Sequence, residues 1–268
     1  MSARRVWPVF VAYLLAFVSI VAFTLVAALV VRGLYPELPE REVFDGLPGL
    51  LAGALASASA LMVTLLGVMR PLDLARLRLL PGRETGPTLA VMIVGTLALG
   101  QALDSATALA GLADRGTMAV IRRALEGASG VELFAAVLVI GVIAGVAEET
   151  FFRGYMQSRL AEHWRPSVAV LVTSVAFGLL HLEGLHVTLA FALGLWLGFV
   201  TERAGSALPA VAAHVINNAL FTVLTAGGVT VNAFWPNVVL GGVGALVFAG
   251  CAAWLWRAPG LRPRGPEG

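Results

Sequence analysis

From Val6 to Val31 the chain carries no charged side chain, and Tyr13, Ser19 and Thr24 are the only hydroxyl groups in that run. A helix rising about 1.5 Å per residue needs about 20 residues to cross roughly 30 Å of hydrocarbon, so this segment is long enough to span a bilayer. Its length, the absence of a small-residue cleavage site after a short core, and the further apolar runs downstream read as a retained first helix rather than a cleaved signal. Those further runs are numerous. With 59% hydrophobic and 13% charged residues over 268 positions, and a mean hydropathy of +0.88, an ordinary soluble globule is excluded.

The expected fold class is therefore all-α: a polytopic integral membrane protein of about eight transmembrane helices with a buried polar active site. After the first span comes a polar, proline-containing connector from Arg32 to Asp45. The second span, about Leu47 to Met69, is rich in Ala, Gly and Ser, which suits close helix contact. The third, about Thr88 to Leu112, holds Gln101 and Asp104; the acid is read as bonded to a neighbouring helix or lying near the interface. Between Ala113 and Gly130 the stretch Met118 to Glu126 is a short amphipathic piece expected on the membrane surface. A fourth span begins near Leu133 and continues as helix through Tyr155 to His163. Four more follow, about Pro166 to Leu182, His186 to Val200, Ala207 to Ala226 and Val238 to Trp256. Pro166 and Pro209 fall in first turns, where a missing amide hydrogen costs little. No repeat or linker divides the chain, so 1–268 is taken as a single membrane domain with a catalytic core over 133–226.

Cys251 is the single cysteine, so neither a disulfide framework nor a cysteine-rich metal site is available. The pI near 9.2 does not indicate nucleic acid, because the net charge is only +2 and no basic stripe follows a helix face. Arginine placement reads as topology instead. With the N-terminus inside, Arg4, Arg5, Arg70, Arg76, Arg78, Arg83, Arg153, Arg159, Arg165, Arg203, Arg257, Arg262 and Arg264 all fall on the inner side. Only Arg32, Arg41, Arg115, Arg122 and Arg123 fall outside. The positive-inside bias thus predicts a multi-pass protein of the cell inner (cytoplasmic) membrane with both termini cytoplasmic and the bilayer as a partner.

Chemistry concentrates at Glu148-Glu149-Thr-Phe-Phe-Arg153. Low dielectric disfavours a charged carboxylate and a second one beside it disfavours it again, so the pair needs a compensating partner or a job. Arg153, four residues after Glu149, shares its helical face. A structural ion pair at a helix end would explain these three alone, but two more polar groups occur in other spans. Phe177-Gly-Leu-Leu-His181 places a histidine one turn after an aromatic, and His214-Val-Ile-Asn-Asn218 places a histidine and an amide on one face. The other two of the four histidines, His163 and His186, are read as solvated loop residues.

Peptide hydrolysis within a membrane needs a captured water, a base, and donors for the oxyanion. Glu148 and Glu149 can supply the base, His181 can hold the water, and His214 with Asn218 can donate to the oxyanion. Glu148, His181 and His214 also resemble a two-histidine, one-carboxylate zinc site with an open position. Spacing does not separate the two schemes, since no H-E-x-x-H is present.

In this order the three motifs resemble those of the CPBP family, intramembrane proteases related to the type II CAAX prenyl endopeptidases and to bacteriocin-immunity proteins of the Abi group. The resemblance covers about Leu133 to Ala226. It implies an intramembrane endopeptidase acting on membrane-associated peptides or proteins, with Glu148 as the water-activating base and His181 as its partner. His214 and Asn218 would stabilise the oxyanion, and Glu149 and Arg153 would support the site. It implies no required cofactor, with a divalent metal such as zinc as the other possibility. The alternative function is a non-catalytic immunity or scaffold protein that binds a peptide. A secondary transporter is the remaining one, though it would show internal repeats and matched broken helices. One disagreement stands: counted from the inner face, Glu148 comes out about 8 Å deep and His214 about 10 Å, against about 24 Å for His181.

Overall fold

The computed structural model describes residues 6–258; Arg4, Arg5, Arg262 and Arg264, used above for topology, lie outside them. Among the described residues the secondary structure is all helix, and seven helices are long and apolar enough to cross a membrane. In chain order the elements are α1 (Trp7–Leu34), α2 (Glu40–Phe44), α3 (Leu47–Val68), α4 (Gly86–Leu109), α5 (Gly116–Leu125) and α6 (Gly130–Ala161). Then follow α7 (Pro166–Leu179), α8 (Gly184–Ala204), α9 (Leu208–Ala226) and α10 (Phe234–Arg257).

The fifth expected span differs. α7 has 14 residues, which at about 1.5 Å each reach roughly 21 Å, too little to cross a bilayer unaided. The apolar pattern runs on through Leu180 and Leu182, but the helix stops at Leu179 because Leu182 takes a positive φ of 60° and Glu183 already caps the next helix. His186 consequently belongs to the first turn of α8, half-buried with its ring 4.2 Å from that of His181, and is not a solvated loop residue.

Local sequence sets the other boundaries. Thr85 and Thr88 form a reciprocal capping box at the start of α4. α8 ends at Gly205, which adopts φ 70°, the left-handed conformation that glycine enters without a Cβ penalty. Prolines stand in the first turns of α1, α3, α4, α7 and α9.

α6 and α9 occupy the middle of the bundle. α1 packs on α3 and α10 on α4 at the periphery, leaving rows of aliphatic and aromatic side chains facing outward. Gly141 and Gly145 of α6 let α9 come close: a Cβ on Gly141 would stand 3.2 Å from Ala219, and one on Gly145 3.2 Å from Val215. One core gathers Phe151, Phe152 and Phe177 with α1 and α3, and a second gathers Met92, Trp196 and Leu197 with α9 and α10. Trp196 donates its indole N–H to Thr96 Oγ1 at 2.9 Å, satisfying the polar end of a buried aromatic.

The segment between α3 and α4 clasps the α8–α9 turn. Ala207 N donates to Arg78 O at 2.7 Å, Arg83 N donates to Ala204 O at 2.7 Å, and the Arg83 guanidinium donates to the carbonyls of Glu202 and Arg203 at 2.9 and 3.1 Å. Cationic donors on the last carbonyls of a helix suit its dipole. This clasp buries Ala204, Ser206 and Ala207, so α9 begins beneath a cover. α6 also extends to Ala161, placing Glu148 roughly 20 Å from that end, close to the roughly 21 Å at which α7 delivers His181. By helix rise, Glu148 and His181 thus stand at similar distances from that end of the bundle.

At Asp104 the structure forms an ion pair with Arg122 of α5, whose guanidinium also lies 5.8 Å from the Phe221 ring centroid. α5 is thereby tied to α4 and α9.

α6 meets α8 through two polar rungs one turn apart: Arg153 Nη2 donates to Gly194 O at 3.1 Å and Gln157 Nε2 to Gly198 O at 3.0 Å. A Cβ on Gly198 would fall 2.8 Å from Val170 Cγ1 and 2.9 Å from Gln157 Oε1. Gly198→Leu is therefore expected to lower stability by about 1–3 kcal/mol, the usual cost of overpacking, and thermal unfolding in nanodiscs should show a clear drop in Tm. An unchanged Tm would contradict this packing.

Candidate active site

α6 carries the acidic motif between two π-wound stretches, Val137–Ala144 and Thr150–Gln157. Such wider turns occur often at functional positions, since they re-aim side chains relative to an α-helical register. Gly145 sits one turn before the glutamates, so α6 and α9 are close where Glu148 and Glu149 face His214.

The two carboxylates have different surroundings. Glu149 is fully buried; its Oε1 accepts from Arg153 Nη1 at 2.8 Å and from His214 Nδ1 at 2.7 Å. Arg153 is itself fully enclosed, with its guanidinium carbon 4.6 Å from the Phe177 ring centroid and its other terminal nitrogen on Gly194 O. Cation–π contact and a carbonyl acceptor thus supplement the charge pair that compensates burial. Glu148 takes no part in that pair. Its side chain retains 21% exposure, and its Oε2 stands 3.8 Å from His214 Nε2, beyond direct hydrogen bonding but within reach of one shared atom.

Of the six residues singled out from sequence, Glu148, Glu149, Arg153 and His214 come together directly. His181 joins them through Phe177, whose ring lies 5.2 Å from the His181 ring and 6.0 Å from the His214 ring. Asn218 is half-buried one turn beyond His214 on α9, where its Oδ1 accepts from Asn217 at 3.4 Å; it makes no hydrogen bond to Glu148 or His214. His181 follows the last turn of α7, with Nδ1 3.0 Å from Phe177 O. A carbonyl only accepts, so Nδ1 holds the proton and Nε2 carries the free lone pair.

Three contributors were not read from sequence. Gly194 and Gly198, spaced four apart on α8, admit Arg153 and Gln157; that small-residue spacing was the available signal. Gln157 was the second: four residues after Arg153, it also donates to Glu202 Oε1 at 2.9 Å, the oxygen that Arg78 reaches at 2.6 Å. The third is Glu183, outside the spans. Its carboxylate accepts from the Leu185 and His186 amides at 3.0 and 3.1 Å, and those hydrogen bonds hold it below the ordinary carboxylate range.

A shared metal ion would need ligands at about 2.0–2.1 Å. Glu148 Oε2 and His214 Nε2 are spaced to bridge one, but among the described residues no three His, Cys, Asp or Glu side chains converge at ligating range. The three-ligand set suggested by sequence, Glu148, His181 and His214, is not assembled, and no step is derived through a metal.

Residues 130–220 match the family model of the type II CAAX prenyl endopeptidases, Rce1-like. By that match the segment resembles an Rce1-like domain. It contains all six site residues, from α6 to the middle of α9, and its family is one of proteases. No curated protein and no solved structure matches the chain. With its outward-facing apolar helices, the chain is a multi-pass membrane protein.

Removing one partner of a fully buried pair leaves an uncompensated charge and costs about 3–5 kcal/mol. Arg153→Met is expected to destabilise by that amount in unfolding measurements, and Glu148→Gln by much less because Glu148 lies outside the pair. Equal losses would contradict the assignment of Arg153 to Glu149.

Proposed function

We propose that the protein is an intramembrane endopeptidase that cuts membrane-associated peptides or proteins with a water activated by Glu148. The observation that carries this reading is the division between adjacent carboxylates: Glu149 is bound by Arg153 and His214, while Glu148 keeps a free oxygen 3.8 Å from His214 Nε2. A base must be unpaired and near its reactant, and only Glu148 of the two meets both demands.

In this scheme Glu148 takes a proton from water, with the His181 Nε2 lone pair helping to hold that water, and the hydroxide oxygen adds to the scissile carbonyl. The oxyanion accepts from His214 Nε2–H, whose Nδ1–H stays on Glu149, and from the Asn218 amide. Collapse breaks the C–N bond, and Glu148 returns its proton to the leaving amine, so base and acid are the same residue. Removing a positioned general base or acid typically costs 10²–10⁴-fold in rate. The inner membrane and an inward-facing site are proposed from the arginines, since Arg78, Arg83 and Arg203 all act at one end of the bundle.

Two measurements test this. Comparative proteomics of membrane peptides should show products in wild-type cells that vanish with Glu148→Gln, while the variant retains wild-type abundance and Tm. Purified enzyme acting on a farnesylated CAAX-motif peptide should keep its rate in a strong chelator. Wild-type products persisting in Glu148→Gln, or a peptide that binds and is never cut, would contradict the base assignment; chelator-abolished and zinc-restored turnover would contradict the metal-free scheme.

A further inference from the structure

We propose that Glu183 is a positioning residue for His181, fixing the turn that presents the imidazole to the site. The inference rests on reading His181 as part of that site. His181 lies beyond the end of α7, in a turn whose next residue, Leu182, has a φ of 60°, a conformation costly for a branched side chain. Such a turn persists only where its surroundings impose it.

Glu183 imposes it from three directions. Its backbone N–H donates to His181 O at 2.7 Å, closing the turn directly behind the histidine. Both carboxylate oxygens cap α8, accepting from Leu185 N at 3.0 Å and His186 N at 3.1 Å. A carboxylate there satisfies orphan amides and the helix dipole together. The third contact comes from α5, where Gly116 at φ 66° lies so close that a Cβ would stand 2.8 Å from the Glu183 carboxylate.

Capping α8 also fixes His186, whose ring centroid is 4.2 Å from that of His181. The His181 ring is thus held between Phe177 at 5.2 Å on its own helix and His186 on the helix that Glu183 caps. Nδ1 then stays on the Phe177 carbonyl and Nε2 is left free. Without the Glu183 carboxylate the turn keeps its backbone hydrogen bonds from His181 N to Gly178 O and Leu182 N to Leu179 O, but loses the cap that ties it to α8.

The test reads the imidazole itself. Full-length protein in nanodiscs, labelled with ¹⁵N-histidine, offers four histidines, assignable by single His→Gln substitutions. Wild-type His181 is expected in the Nδ1–H form with distinct shifts for its two nitrogens. In Glu183→Ala those shifts should move together as the tautomers average, with His163 unchanged, and Glu183→Asp, which keeps a capping carboxylate, should restore the wild-type pattern. If Glu183→Ala does not fold, Glu183→Gln carries the same expectation. A His181 spectrum identical to wild type in a folded variant, or a perturbation that Glu183→Asp does not reverse, would overturn the proposal. In cleavage of the farnesylated CAAX-motif peptide, Glu183→Ala should lose about tenfold in kcat, since a loosened site residue forfeits near-attack geometry, while KM changes little. Should wild-type protein cut no peptide, the protease reading fails, and the His181 spectrum still decides the positioning role.

Discussion

The Glu149 carboxylate accepts at 2.8 Å from Arg153 and at 2.7 Å from His214, in a space where Glu149 and Arg153 have no solvent exposure. Removing such ions from water costs several kcal/mol each, and attraction between them offsets this only when geometry is good and remaining donors find acceptors. The surrounding structure meets part of that condition, while Arg153 Nε and Glu149 Oε2 stay buried without a hydrogen-bond partner among the described residues. Phe177 lies under the guanidinium, Gly194 offers its carbonyl, and His214 takes the same Glu149 oxygen from the other side. One ion pair therefore joins α6, α8 and α9 and orients the histidine that faces Glu148.

Small residues make the joint possible. Gly141 and Gly145 bring α6 to α9, and Gly194 and Gly198 bring α8 to α6, all by omitting a Cβ where backbone or a polar group must approach. In a bilayer, where burial of apolar surface gives little net drive between helices, close packing and interhelical hydrogen bonds carry association. The rung from Gln157 to Gly198 continues into Glu202 and Arg78, so it and the clasp over the α8–α9 turn belong to one polar chain, one helical turn from the buried ion pair.

Seven long helices were legible because each is a run of apolar residues of bilayer length, and α1, α3, α4 and α9 carry proline in their first turns. α7 was not, because Leu179, Leu180 and Leu182 continue the apolar pattern past the point where the backbone turns. What stops the helix is the Leu182 conformation and the Glu183 cap, and glutamate is not among the usual N-cap residues. The same misplaced boundary made His186 look solvated. At the site, the four-residue spacing of Glu149 and Arg153 was enough to pair them. The contact between His214 and Glu149 was not legible, since it depends on how closely α9 approaches α6. The spacing of His214 and Asn218 points both to one face but does not show that Asn218 bonds to Asn217.

A double-mutant cycle asks most directly which carboxylate the arginine serves. Glu149→Gln and Arg153→Met, alone and together, should show a coupling free energy in unfolding of roughly 1–3 kcal/mol, as contacting groups in one network do, while Glu148→Gln with Arg153→Met should be additive to within about 0.5 kcal/mol. Strong coupling of Arg153 to Glu148, with additivity at Glu149, would contradict the division of roles between the two glutamates.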